Sequence, residues 1–261
     1  MSGWRASLAG AAAALVVLCA GAAPAAGAPA WHFATEPFPP YTYANRSGHA
    51  AGPMVDVLAT VCARLRRDCM VEVMPWRRAL MLAGQGDVDG LFTIIDSAER
   101  RAAFRVSAPV IEARYVFIAY KSDRFEYRRP LDLSGRTIGV YGPSGTASTL
   151  LPLLEGNDAR AVVEPDNEMV LRKMEAGRYG RDGLVFINER VGLDLIERIG
   201  ISNLRLAGEA ARFNYSFGFA PTRVSADELA AFDAELAVLC RSGQLQDLLK
   251  PYEMRAPPCP H

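Results

Sequence analysis

Histidine is scarce in this chain: three occur in 261 residues, at His32, His49 and His261. They fall on an early strand pattern, in a polar turn and at the terminus. None has the neighbouring acid that would hold it as a general base. A nucleophile–histidine–acid arrangement is therefore not expected. Gly142-Pro143-Ser144-Gly145-Thr146 lacks the second glycine of a nucleophile elbow. It also lacks the lysine of a phosphate-cradling loop. Asp87 and Asp89 alternate along a turn-to-strand stretch and read as structural acids rather than a catalytic pair. The formal net charge is +0, and the densest basic cluster, Arg64, Arg66 and Arg67, lies late on a helical pattern where solvent can reach it. Nothing in this balance points to nucleic acid or an anionic membrane surface. No stretch beyond the first thirty residues approaches the roughly 20 apolar residues of a spanning helix. No cofactor or metal is implied, and the function classes left are binding or an unobvious catalysis.

Residues 1–30 read as a leader rather than as part of the fold. Arg5 supplies a positive start, Ala11 to Ala20 an apolar core around Leu15-Val16-Val17-Leu18, and Ala28-Pro29-Ala30 the small residues that precede cleavage before Trp31. Leu18 stands before Cys19 where a lipoprotein signal needs a small residue. The expectation is a cleaved signal peptide and an exported protein that is not a lipoprotein.

Four cysteines remain after the leader, an even number suited to an oxidising compartment. Cys62 and Cys69 can bridge the end of a helix to the next strand, and Cys240 and Cys259 can pin the C-terminal tail to the last long helix. The rival reading is a metal site, but no histidine is near in sequence and neither pair has zinc-type spacing. Two disulfides are expected.

From Trp31 onward, short β-rich runs alternate with helical patterns, the signature of an α/β protein. Strands are expected at Trp31–Thr35, Met70–Met74, Gly90–Thr93, Tyr115–Tyr120, Gly135–Tyr141, Gly183–Ile187 and Asn214–Ala220. Met54, Val55, Leu58, Val61, Cys62 and Leu65 recur at helical spacing. Further helices are expected over Trp76–Ala83, Thr146–Leu154, Asn167–Ala176 and Asp227–Cys240, and no internal repeat is present. The pattern divides into two lobes: residues 31–112 with 214–261, and residues 113–213.

Arg100 offers a planar fork suited to a carboxylate. Thr93 and Ser97 precede it with hydroxyls, and Phe38 and Trp76 are aromatic walls of the kind that enclose a ligand side chain. On these residues alone, a surface arginine beside core aromatics is the commoner reading, because isolated aromatics mostly pack.

An ordered set of motifs adds to that inventory. Phe38-Pro39-Pro40-Tyr41 is followed by Gly52-Pro53-Met54-Val55-Asp56 at a helix start, then by the Cys62–Cys69 pair. Gly86-Asp87-Val88-Asp89-Gly90, Ser97-Ala98-Glu99-Arg100 and Val106-Ser107-Ala108-Pro109 follow in turn. Together they resemble the bacterial extracellular solute-binding proteins of family 3, the periplasmic polar amino-acid receptors of ABC importers. The resemblance covers nearly the whole chain after the leader. It implies a two-lobed type II periplasmic-binding-protein-like α/β fold with a ligand cleft between lobes. It also implies a periplasmic location, a monomer, hinge closure and an ABC permease as partner. Carried over by position, Arg100 matches the grip on a ligand carboxylate, Phe38 and Trp76 the side-chain walls, and Thr93 a serine of the carboxylate-binding stretch. Ser144 or Thr146 matches the hydroxyl at a helix start. The Cys62–Cys69 spacing is like that of the histidine- and lysine/arginine/ornithine-binding members, which carry a disulfide there.

The departures from the pattern matter as much. The family's acid for the ligand ammonium should follow Gly183-Leu184-Val185-Phe186, yet the chain gives Ile187-Asn188, with Glu189 the nearest acid. Ile94 and Ile95 stand where serines are common. Arg77 and Arg78 add charge beside the expected pocket, and Arg77 and Asn188 are placed with the ligand set. The expected ligand is an amino acid or related carboxylate. The alternatives implied by the same resemblance are a cyclohexadienyl dehydratase-like enzyme, with Glu189 as the acid, or a non-transport sensor accessory.

Overall fold

Strand and helix alternate in two series along the chain. The computed structural model describes Met1 and residues 29–259, so the leader reading, apart from its ends, and His261 lie outside the described residues. The first series comprises β1 (Trp31–Thr35), the short hairpin β2 (Tyr43–Ala44) and β3 (Ala50–Ala51), α1 (Pro53–Arg64), β4 (Cys69–Val73), α2 (Trp76–Gln85), β5 (Gly90–Ile95), α3 (Ala98–Ala103) and β6 (Arg105–Val106). A long strand, β7 (Ile111–Tyr120), leads into the second series: β8 (Thr137–Tyr141), α4 (Gly145–Leu153), β9 (Arg160–Glu164), α5 (Asn167–Glu175), β10 (Leu184–Asn188) and α6 (Glu189–Ile199). The chain returns along β11 (Leu204–Phe219) and ends with α7 (Ala226–Arg241) and α8 (Gln244–Leu249).

Local chemistry accounts for the boundaries. Pro53 sits in the first turn of α1, where its missing N–H costs nothing, with Asp56 at the positive end and Arg64 at the negative end. Gly52 before it has φ 116°, and a Cβ there would lie 2.5 Å from the carbonyl oxygen of Tyr41, so only glycine lets the helix meet the preceding turn. Ser225 and Glu228 form a reciprocal capping box on α7. Gly86 and Gly200 close α2 and α6 in the left-handed conformation.

The sheet runs β4-β1-β5-β11-β7-β10-β8-β9, with β6 also on β11. β4, β1 and β5 are parallel, as are β10, β8 and β9. β7 and β11 pair antiparallel with each other and with their outer neighbours, β10 and β5. The molecule is thus a two-lobed α/β protein, two parallel units stitched by two long antiparallel strands. Phe33, Phe92, Phe217, Phe219 and Phe232 pack edge-to-face or tilted in the first lobe. Tyr115, Phe117, Phe186, Ile138, Val140 and Leu150 form a second core. Each such side chain, fully buried, contributes roughly 1.5–3 kcal/mol.

Both disulfides are present, Cys62–Cys69 and Cys240–Cys259. β11 is longer than the expected Asn214–Ala220 strand and begins ten residues earlier, at Leu204. Two register shifts and the run Ala207-Gly208-Glu209-Ala210-Ala211 break the period-two alternation that marks a strand in sequence. β9 and α6 were also absent from the sequence reading.

Candidate functional site

Parallel strands offer ligands the crevice outside their carboxyl ends. Here β1 and β5 from one lobe and β8 from the other end around the same space. At or just beyond these ends stand Glu36, then Ser97 and Arg100, and Tyr141 with Ser144. They help to line an inner chamber of about 300 Å³, to which Phe38, Trp76, Thr93, Tyr115, Thr146 and Tyr215 also contribute. Glu36, Phe38, Trp76 and Tyr141 also line an outer chamber of about 1000 Å³ that continues between the lobes, past Pro75, Asp166, Val191 and Leu195.

Arg100 is positioned by its own helix, because the Ser97 hydroxyl caps α3 by accepting from the backbone N–H of Arg100 at 3.2 Å. The guanidinium lies 5.7 Å from the Trp76 ring centre, within cation–π range. Its side chain is 13% exposed, and its acidic contact is Glu99 at 4.0 Å, itself 71% exposed. Five planar N–H donors at the chamber wall are thus held without a close carboxylate among the described residues.

Thr93 is the extra residue of a bulge. Ser216 pairs with Ile94 and Phe217 with Phe92, leaving Thr93 unopposed with φ 63°. A β-branched residue in the left-handed region is strained by about 1–3 kcal/mol. The bulge re-aims its side chain at the chamber wall, where Oγ1 is buried without a hydrogen-bond partner.

Phe38 and Trp76 are both nearly buried and line both chambers. Phe38 stacks on Tyr41 at 5.5 Å and meets Tyr215 edge-on at 6.1 Å. Ser144 also borders the chamber, but its hydroxyl donates to the carbonyl of Tyr141 at 2.7 Å and accepts from Ala147 N–H as the cap of α4. The Thr146 hydroxyl donates to Tyr115 at 3.3 Å.

Two residues of the sequence-derived set stand outside the chamber walls. Asn188 is 1% exposed: its Oδ1 accepts from Val191 N–H at 3.1 Å as the cap of α6 and from the Tyr41 hydroxyl at 3.3 Å. Its Nδ2 donates to the Tyr215 hydroxyl at 3.1 Å. An asparagine before a helix start satisfies an orphan N–H, and that local demand fixes its orientation. Arg77 is exposed on α2 and lines neither chamber, although its charge reaches Tyr141. Glu189, the acid proposed for a dehydratase, pairs with Arg114 in a separate charged pocket on the Tyr41 side.

Glu36 was missed. The Tyr141 hydroxyl donates to its Oε2 at 2.8 Å, and burial pushes its carboxyl up to about 7 against the opposing effect of that bond. Tyr115 on β7 is close enough to feel Glu36, and Arg77 on α2 and Asp166 before α5 are close enough to act on Tyr141. Tyr115, Tyr141 and Tyr215 were missed as well; burial holds all three phenols neutral, their pKa values raised. The signal was available: Glu36 and Tyr141 stand at or just after the carboxyl ends of expected strands.

Among the described residues, no helix is long and apolar enough to cross a membrane. None of their His, Cys, Asp and Glu side chains form a group of three or more suited to a metal ion.

Comparison with known proteins agrees with this architecture. The chain is similar to a histidine kinase sensor domain with similarity to periplasmic binding proteins, at 20% identity, TM-score 0.77, over 87% of this chain and 98% of that one. It is similar to an ancestral arginine-binding protein bound to arginine, at 16% identity and TM-score 0.74, over 85% and 97%. It is also similar to the amino acid ABC transporter substrate-binding protein AbpA from Streptococcus pneumoniae bound to L-arginine, at 21% identity and TM-score 0.71, over 85% and 93%. A search of curated proteins gave no match. At these identities the structures establish a shared fold, whereas the model of the bacterial extracellular solute-binding proteins, family 3, matches residues 32–254 directly. The chain, with its paired strand ends and its arginine-walled cleft, belongs to the bacterial extracellular solute-binding proteins, family 3.

Proposed function

We propose that this protein is a periplasmic receptor that captures a small carboxylate-bearing solute, an amino acid or a related acid, and presents it to an ABC importer. The observation that carries the reading is Arg100, nearly buried at the chamber wall, whose acidic contact is a 4.0 Å approach to the exposed Glu99. The proposed ligand set is Arg100, Thr93, Phe38 and Trp76 from one lobe with the α4 start at Ser144 and Thr146 from the other. Two similar structures are bound to arginine, which supports a ligand of amino-acid size.

In mechanism, the carboxylate docks first on Arg100, whose fork suits two parallel hydrogen bonds. The aromatic walls then exclude water, and the first turn of α4 brings backbone N–H groups to the anion. Lobes of residues 31–112 with 214–261 and of 113–213 close about β7 and β11, the strands they share. A signal peptide over residues 1–30 delivers the protein to the periplasm, where a monomer meets the permease.

The test is a thermal-shift screen of the protein without its leader, against amino acids, dicarboxylates and aromatic acids. A ligand at 100 times its Kd stabilises by about 2.7 kcal/mol. The expected result is a hit that Arg100→Ala abolishes; a hit indifferent to that substitution removes the central assignment.

A further inference from the structure

We propose that the ligand of the inner chamber is an organic acid without an amine beside its carboxylate, an inference that rests on the binding function proposed above. The charge inventory of the chamber carries it. Its ionisable lining residues, the tyrosines aside, are Arg100, Glu36 and Glu99, and Glu99 is 71% exposed and turned to solvent. Arg100 is the fixed charge at the inner wall, and a nearly buried cation favours an anion as its partner.

The remaining polar groups are hydroxyls and the start of α4. Thr93 presents a buried hydroxyl without a partner, and α4 opens on the chamber at Gly145 and Thr146. The N-terminal turn of a nine-residue helix adds to the positive field. An ammonium entering beside the carboxylate would need an ionised acid or several free acceptors. Behind Tyr115 and Tyr215 lies Asn188, a neutral amide whose Oδ1 is already committed to Val191 N–H and the Tyr41 hydroxyl. The two phenols are held neutral by burial and are linked to each other and to Thr146 and Asn188.

Glu36 is the single acid left. It stands at the junction of the two chambers, where its Oε2 already accepts from Tyr141. Burial holds it partly protonated near neutral pH, so it offers a ligand a hydroxyl as readily as a charge. The ligand's carboxylate thus sits in a field that is positive on one side and neutral elsewhere. Its body leaves through the passage between Glu36, Phe38, Trp76 and Tyr141 into the outer chamber.

The experiment is isothermal titration calorimetry with matched pairs that differ by one amine. The pairs are 3-phenylpropionate with L-phenylalanine, 4-methylpentanoate with L-leucine, glutarate with L-glutamate, and 5-guanidinopentanoate with L-arginine. In the best-binding pair the amine-free acid is expected to bind tighter by about tenfold or more, since its partner buries an unpaired ammonium. Arg100→Ala is expected to weaken that acid by about a hundredfold. Equal affinity, or a tighter amino acid, overturns this inference and leaves the binding function standing. If that amino acid is then lost in Glu36→Gln, Glu36 is the ammonium partner. No binding by any of the compounds, or binding indifferent to Arg100→Ala, overturns the inference and the binding function together.

Discussion

The hydroxyl of Tyr141 donates to Oε2 of Glu36 at 2.8 Å, so the end of β8 in one lobe is tied to the residue after β1 in the other. This bond crosses the cleft at the passage between its two chambers. It also makes the site sensitive to pH, because one partner is a carboxyl raised to about 7 by burial.

Between its ordinary value of 4.5 and about 7, Glu36 keeps a proton in the folded protein that the unfolded chain has released. Its contribution to stability is therefore fully present below about 4.5 and is lost as pH rises through about 7. Glu36→Gln should melt higher than the parent above pH 7, with the difference shrinking toward pH 4.5. A Tm series from pH 4.5 to 8.5 measures this directly. A constant difference across that range would contradict a raised carboxyl.

Arg100→Ala should separate binding from folding. The side chain's acidic contact is a 4.0 Å approach to an exposed glutamate, which is worth little to stability. The variant should melt within about 0.5 kcal/mol of the parent while losing about 3 kcal/mol of ligand affinity, the scale of a lost charged hydrogen bond. Urea unfolding and calorimetry on one preparation test both halves.

Thr93→Val keeps the β-branched shape and removes a buried hydroxyl that has no partner. Its stability should be unchanged or higher by about 1 kcal/mol, since an unsatisfied buried polar group is costly. Ligand affinity should fall by a similar amount if Oγ1 meets the ligand. A loss of stability instead would mean that the hydroxyl is satisfied in the folded protein.

Asn188→Ala should be costly without touching the ligand. It removes the cap of α6 and leaves the hydroxyls of Tyr41 and Tyr215 without this partner. A cap contributes about 1 kcal/mol and the one buried orphan, the Tyr41 hydroxyl, about 1–3 kcal/mol, because Tyr215 keeps its bond to Tyr115, so a total loss of roughly 2–4 kcal/mol is expected in urea unfolding. Near-normal affinity in the folded variant would place Asn188 behind the site rather than in it.

Reduction of the disulfides should lower the unfolding midpoint. Cys62–Cys69 spans 7 residues and Cys240–Cys259 spans 19. In the chain-entropy account each contributes about 2–3 kcal/mol, the longer loop slightly more. Cys→Ser replacement of one pair at a time, followed by urea unfolding, resolves the two contributions.

Much of this was legible in the sequence, because the signals are local. Pro53 and the periodic Met54, Leu58, Val61 and Cys62 specify α1 by steric and hydrophobic rules acting within a few turns. The two cysteine pairs are close enough in sequence for local geometry to suggest their partners. The ordered motifs from Phe38 to Pro109 carried the family resemblance, which assigned Phe38, Trp76, Thr93 and Arg100 to the ligand, and these four residues do line one chamber. What tertiary structure decided was orientation across long separations. Asn188 follows a strand as a ligand residue should, yet it turns inward, because capping α6 and joining Tyr41, 147 residues away, satisfy its amide. Glu36 was not singled out in the sequence, and it borders the chamber because β8 carries Tyr141 to it across 105 residues. Local propensity fixes which element a residue occupies; which face meets which, and what charge survives there, depends on burial that only the assembled sheet creates.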